Sequence, residues 1–159
     1  MDAALPLSVT LEVRDRCLCL RAQRAARLLA RHFDAALRPW DLTNGQFSLL
    51  MSLNRPDAPR LVDLVPLLGT DRTSLTAALK PLERRGLVEV RPDPSDRRAR
   101  RLILTDAGRN LLTGALPVWR AAHDALDAAL PGGPDDVQAG LDTLGQVLTA
   151  GIPIPGNRD

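Results

Sequence analysis

Between Gly86 and Thr105, a chain patterned for helices almost throughout changes its period. "LVEVR" and "RRLIL" are β-like runs, and the piece between them, "PDPSDRRA", is dense in turn formers. The expected element is a β-hairpin with a long tip. Just upstream, two short amphipathic segments meet at Gly69. Leu61, Leu64, Val65 and Leu68 stripe the first, which Pro59 suits at its start and Pro66 must strain or shorten. The second begins near Thr70–Arg72. Leu75, Leu79 and Leu82 form its core side, and Arg72, Thr73, Thr76, Ala77 and Lys80 form the opposite side. Two short helices at a glycine turn, followed by a hairpin, make a winged helix-turn-helix. That gives the arginines of "DPSDRRARR" (93–101) a use, because such a hairpin lands on the DNA backbone and in the adjacent minor groove, whose negative potential attracts arginine.

Long helices are expected on both sides. Thr10–Leu37 reads as one helix, with Leu18, Ala22, Ala25, Leu29, Phe33 and Ala36 in one stripe and arginines on the other faces until Pro39 stops it. "TNGQ", Thr43 to Gln46, is a capping box for a helix that buries Phe47, Leu50 and Met51. Thr105 caps another, running to about Leu130 with a kink at Pro117. After "PGGP" a last helix spans Asp135–Ala150. These flanks carry more apolar face than a winged helix needs, and a second copy of the chain is the natural cover. The fold class is therefore mainly α with a small β-hairpin wing. A single domain holds a DNA-binding lobe at 43–104 between dimerisation helices at 11–37 and 105–150.

Composition agrees. Aromatic residues are 3% of the chain, tyrosine is absent and 45% is hydrophobic, which suits Leu/Ala-packed helices better than a β-sandwich. No apolar run approaches the roughly 20 residues of a membrane span. The opening "MDAALPLSVT" lacks a basic n-region, so no signal peptide and a reducing, cytoplasmic setting are expected. Charge is uneven. Residues 70–104 hold 9 basic and 5 acidic groups, and residues 105–159 hold 3 and 7. A basic middle suits a polyanionic partner. No base lies near a nucleophile, so enzymatic catalysis is not expected. His32 and His123 have no partners for a metal set, and no cofactor is expected.

"LTNGQFSLLMSL" (42–53), "DRTSLTAALKPLERRGLVE" (71–89) and "DPSDRRARRLILTDAG" (93–108) resemble the signature segments of the MarR family of bacterial transcription regulators, and the likeness runs from about residue 11 to 150. It implies a homodimer whose recognition helices enter successive major grooves of a palindromic operator. Arg72, Thr73, Ser74, Thr76 and Lys80 would face DNA, although Arg72 could pair with Asp71 instead. The family's wing Asp-x-Arg pair matches Asp96 and Arg98, the arginine entering the minor groove while the aspartate holds it. Arg97 would take a phosphate. Arg100 and Arg101 alternate, so only one faces DNA, and Arg100 is assigned there. The resemblance also implies a repressor released by a small aromatic or lipophilic effector. Trp40, Trp119 and His32 are candidates for its cleft, with core packing the competing role for both tryptophans.

Cys17 and Cys19, read as lying on different helix faces, are unsuited to bonding each other. They leave open a thiol-based redox alternative, with Arg14, Arg16 and Arg21 able to lower a thiol pKa, but the tyrosines used by the family's peroxide-sensing branch are absent. A winged helix used only for protein contact is a further alternative, and the arginine-rich wing argues against it.

Overall fold

The computed structural model describes residues 5–96 and 98–153. One compact unit reaches Trp119 and a second begins at Arg120. In order, the elements are α1 (Leu7–Arg16), α2 (Leu18–Leu37), a 3-10 turn (Arg38–Trp40), α3 (Asn44–Ser52), α4 (Leu61–Leu68), α5 (Arg72–Arg84), β1 (Val88–Pro92), β2 (Arg100–Leu104), α6 (Asp106–Ala129) and α7 (Asp135–Ala150).

Local chemistry places the helix starts. At α3 the Thr43 hydroxyl accepts the Gln46 N–H at 3.2 Å, and the Gln46 side chain accepts the Thr43 N–H at 3.0 Å. The Arg60 N–H donates to the Asp63 carboxylate at 2.9 Å at the head of α4. At α5 the Asp71 carboxylate accepts the Ser74 N–H at 2.9 Å. Thr105 does two jobs: its hydroxyl oxygen accepts the Gly108 N–H at 3.1 Å and its O–H donates to the Gly86 carbonyl at 2.7 Å. Apart from the Thr105 O–H bond, which ties the helix start to the turn at Gly86, each satisfies a backbone N–H that a helix start leaves orphaned. Gly69 ends α4 in the left-handed region, at φ 59°, which a Cβ would disfavour and which turns the chain into α5.

The expected single helix over Thr10–Leu37 is two helices. The backbone leaves helical geometry at Cys17 (φ −74°, ψ 99°), and its sulfur accepts the Leu20 N–H at 3.3 Å, starting α2 as an N-cap. Cys17 therefore sits between helices rather than on a helix face. The periodicity carried no sign of this, because a thiol is not a usual capping group.

The first unit's core joins Leu37, Phe47, Leu50, Leu64, Leu82, Leu102 and Leu112, so all three helices of the lobe, the hairpin and α6 meet in it. Leu75, Leu79 and Leu82 are buried, as their spacing predicts. On α3, Phe47 and Leu50 are buried as expected, but Leu49 joins them while Met51, expected inside, is exposed. Trp40 packs against α6 at Gly114, where its ring occupies the space a Cβ would fill.

β1 and β2 pair antiparallel, Val88 with Leu104, Val90 with Leu102 and Pro92 with Arg100. Leu102 also donates its N–H to Pro59 at 2.9 Å, so the hairpin is tied to the segment before α4.

In the second unit α7 is amphipathic and uncovered: Val137, Leu141, Val147 and Leu148 are all exposed. α2 likewise leaves Leu18, Leu20, Leu28 and Leu29 exposed.

Candidate nucleic-acid interface

α5 presents one buried and one open side. Arg72, Thr73, Ser74, Thr76, Ala77 and Lys80 are exposed opposite the leucines. Two of the polar side chains have local work. The Ser74 hydroxyl donates to Asp71 at 2.6 Å, and the Thr76 hydroxyl donates to the Arg72 carbonyl at 2.7 Å. The Ser74 bonds, hydroxyl first, hold the Asp71 carboxyl below its ordinary pKa, so Asp71 is an ionised cap at the helix head. Its described bonds go to Ser74 and none to Arg72, which leaves the Arg72 guanidinium to the open side.

The described residues of the wing tip turn around two aspartates. Asp93 accepts the N–H and hydroxyl of Ser95 on Oδ1 at 2.8 and 2.6 Å, and the Arg101 Nε on Oδ2 at 2.7 Å. Its folded pKa falls to about 2, first through Ser95 and then through Arg101. Asp93 is only 2% exposed, yet what covers it is its own hairpin turn rather than the deep core. Asp96 accepts the backbone N–H of Arg98 at 2.9 Å, and its carbonyl accepts the Ala99 N–H at 2.9 Å. The aspartate thus holds the Arg98 main chain, where a bond to the guanidinium was expected. An Asx turn reaches the N–H two residues on without ordering the long arginine side chain, so it forms more readily than a bond to the guanidinium. The Arg98 guanidinium forms no ion pair among the described residues. Arg97 lies outside the described residues.

Helix and wing face one another across a groove of about 490 Å3. Arg72 and Thr76 of α5 line one side, and Asp96, Arg98 and Arg100 of the wing line the other. Arg60 and Glu83 join them. Neither was expected from the sequence: Arg60 sits in the loop-like "NRPDAPR" (54–60), and only the hairpin folding back on Pro59 brings it to the groove. The Arg60 guanidinium reaches Asp63 at 3.2 Å, and that bond is the first cause holding the Asp63 carboxyl below its ordinary value. Arg101 turns the other way from Arg100, into the hairpin. Four guanidinium groups around one concave surface, over an apolar floor that includes Leu61, Leu79 and Leu102, suit a polyphosphate backbone.

The MarR family profile matches residues 42–99. The M. tuberculosis transcriptional regulator MosR, solved in complex with DNA, is 37% identical, with a TM-score of 0.78 over 85% of this chain and 98% of that one. The chain belongs to the MarR family. The transcriptional repressor CouR, bound to a 23-mer DNA duplex, is 32% identical with a TM-score of 0.70, covering 84% of this chain and 94% of that one. Among curated relatives, the transcriptional activatory protein BadR of Rhodopseudomonas palustris is 33% identical over 104 residues. That match takes in 64% of this chain and 59% of BadR.

In this MarR-family chain the candidate effector residues are spread out. Trp119 stacks on Phe47 with ring centres 5.8 Å apart and an interplanar angle of 18°. It lines a shallow apolar groove of about 400 Å3 with Phe47, Met51, Leu67, Leu68 and Leu116. Trp40 and His32 are not part of that groove. Trp40 packs on Gly114, and His32 is exposed with its edge on Phe33 at 5.1 Å. Both cysteines are free thiols: Cys17 caps α2, and exposed Cys19 accepts from Gln23 at 3.2 Å. No group of three or more possible metal-ligating side chains occurs among the described residues, and no helix there is long and apolar enough to cross a membrane.

Proposed function

We propose that the chain acts in the cytoplasm as a homodimeric repressor that binds a palindromic DNA duplex and releases it on binding a small aromatic or lipophilic ligand. The observation that carries this reading is the groove in which Arg72 and Thr76 of α5 face Arg98 and Arg100 of the wing. One protomer would lay α5 in a major groove and Arg98 in the adjacent minor groove. Thr73 and Lys80 would add contacts along α5, and Arg60 would add a phosphate contact at the head of α4. The solved complexes of MosR and CouR with DNA support the same use of this fold.

A second copy is the reading that best accounts for the uncovered leucines of α2 and α7. The ligand would enter at the Phe47–Trp119 groove, where an aromatic ring can stack.

The test is fluorescence anisotropy on a duplex selected by the protein from a randomised library, run over a salt series. Each phosphate contact adds about 0.9 to the log–log slope, so a steep fall in affinity is expected. A flat salt response would refute the electrostatic reading. Light scattering at micromolar concentration should give the dimer mass, and Leu141→Asp should shift it towards the monomer. A monomer mass for the unaltered protein removes the dimer.

A further inference from the structure

Asp93 is the one charged side chain buried among the described residues, and such a group asks for a reason. Its Oδ1 is taken by Ser95 within the tip. Its Oδ2 accepts Arg101 Nε at 2.7 Å, and the same guanidinium sends Nη1 to the Ala58 carbonyl at 2.8 Å. Arg101 therefore joins three pieces: the wing tip at Asp93, the strand β2, and the segment that leads into α4. The Leu102–Pro59 backbone bond and an antiparallel backbone β-bridge between Arg60 and Arg101 lie beside it.

We propose that Arg101 and Asp93 are positioning residues for DNA binding. Their bond, braced on Ala58, sets the angle of the wing against α4 and α5, so that Arg98 and the α5 surface can engage one duplex together. The inference rests on the DNA-binding reading above.

The physical need is leverage. A two-stranded hairpin is marginal alone and can swing about its root. Arg98 lies three residues from Arg101 towards the tip, at most about 10 Å at roughly 3.3 Å per residue, so a tilt of about 20° moves it by up to about 3 Å. That exceeds the tolerance of a hydrogen bond, and would lift Arg98 from the minor groove beside the major groove that α5 occupies. The two partners of Arg101 also explain why arginine is used. Its planar fork aims Nε and Nη1 in fixed, separate directions, whereas a lysine ammonium is a point charge that cannot hold both partners in that geometry.

The test uses the full chain and the duplex selected by the unaltered protein from a randomised library, with anisotropy measured at several salt concentrations. The variants are Arg101→Lys, Asp93→Asn, Arg98→Ala and the Arg98→Ala/Arg101→Lys double variant. Circular dichroism at the assay temperature establishes that each is folded. Asp93→Asn keeps an oxygen for Ser95 but presents an amide to Arg101, so it breaks the brace by a second route.

Arg101→Lys and Asp93→Asn should each weaken binding by about tenfold or more although one conserves charge and the other removes a negative charge. The double variant should bind little worse than Arg98→Ala, because the brace acts through Arg98. Three results would overturn the proposal: Arg101→Lys binding like the unaltered protein, Asp93→Asn binding tighter, or additive losses in the double variant, which would make Arg101 a phosphate contact. If the unaltered protein selects no duplex, or Arg98→Ala has no effect, the DNA-binding reading fails and the brace with it. If Arg98→Ala weakens binding and Arg101→Lys does not, only the brace fails.

Discussion

The Asp96 carboxylate accepts the backbone N–H of Arg98 at 2.9 Å, so an acidic side chain holds the main chain of an exposed, groove-lining arginine in a turn. On the proposed DNA-binding surface, a negative charge makes sense only if the turn it builds matters more than the repulsion it adds.

That comparison yields a prediction with a sign. Arg98→Ala should cost on the order of 1–3 kcal/mol of specific binding per half-site. Asp96→Ala should also weaken binding, by less, because the turn loosens. Asp96→Asn should recover most of the loss, since the amide oxygen can accept the same N–H while the charge is gone. Tighter binding by Asp96→Ala, at equal salt on the same duplex, would show that the wing works only as a cloud of positive charge.

Asp93 makes the wing sensitive to acid in a defined window. Its folded value of about 2 lies below the ordinary 3.8, so its ionised form stabilises the folded wing at every pH above the ordinary value. That contribution fades as pH falls from about 4 towards 2, and neutral pH leaves it whole. A carbon NMR titration of the Asp93 carboxyl should find its midpoint in the lower part of that window. A midpoint at the ordinary value would mean that the bonds from Ser95 and Arg101 are not held in solution.

The packing of α6 on the Trp40 turn can be tested at a single atom. A Cβ at Gly114 would overlap the Trp40 ring, whereas one at Gly145 in α7 meets nothing within 4 Å. Gly114→Ala should therefore lower stability by about 1–2 kcal/mol, the overpacking cost exceeding the gain in helix propensity. Gly145→Ala should be neutral or stabilising by up to about 1 kcal/mol. Urea unfolding of both variants separates steric fit from propensity, and equal effects would contradict the Trp40 contact.

Cys17 acts in the structure as a helix cap. Cys17→Ser should keep or improve the cap, and Cys17→Ala should cost about 0.5–1 kcal/mol in thermal unfolding. Neither Cys17→Ser nor Cys19→Ser is expected to change release from DNA by peroxide. A clear loss of peroxide response in either variant would assign the thiols a sensing role.

Much of this architecture follows from sequence alone, because local forces write it. The capping box at Thr43 and Gln46, the leucine stripe at 75, 79 and 82, the left-handed turn at Gly69 and the hairpin around 93–101 each depend on residues within a few positions of one another. Other features depend on what the fold brings together. Arg60 reaches the groove only because Leu102 bonds to Pro59, 43 positions away, and Arg101 turns inward only because Asp93 and the Ala58 carbonyl wait there. The break at Cys17 was hidden for a different reason: helical periodicity continues through it, and the sulfur's bond to Leu20 replaces a backbone bond without disturbing the pattern. Periodicity records which face of an element is apolar. Where a cation finds its acceptor is settled by tertiary geometry, since the acceptor can be a backbone carbonyl that no residue type announces.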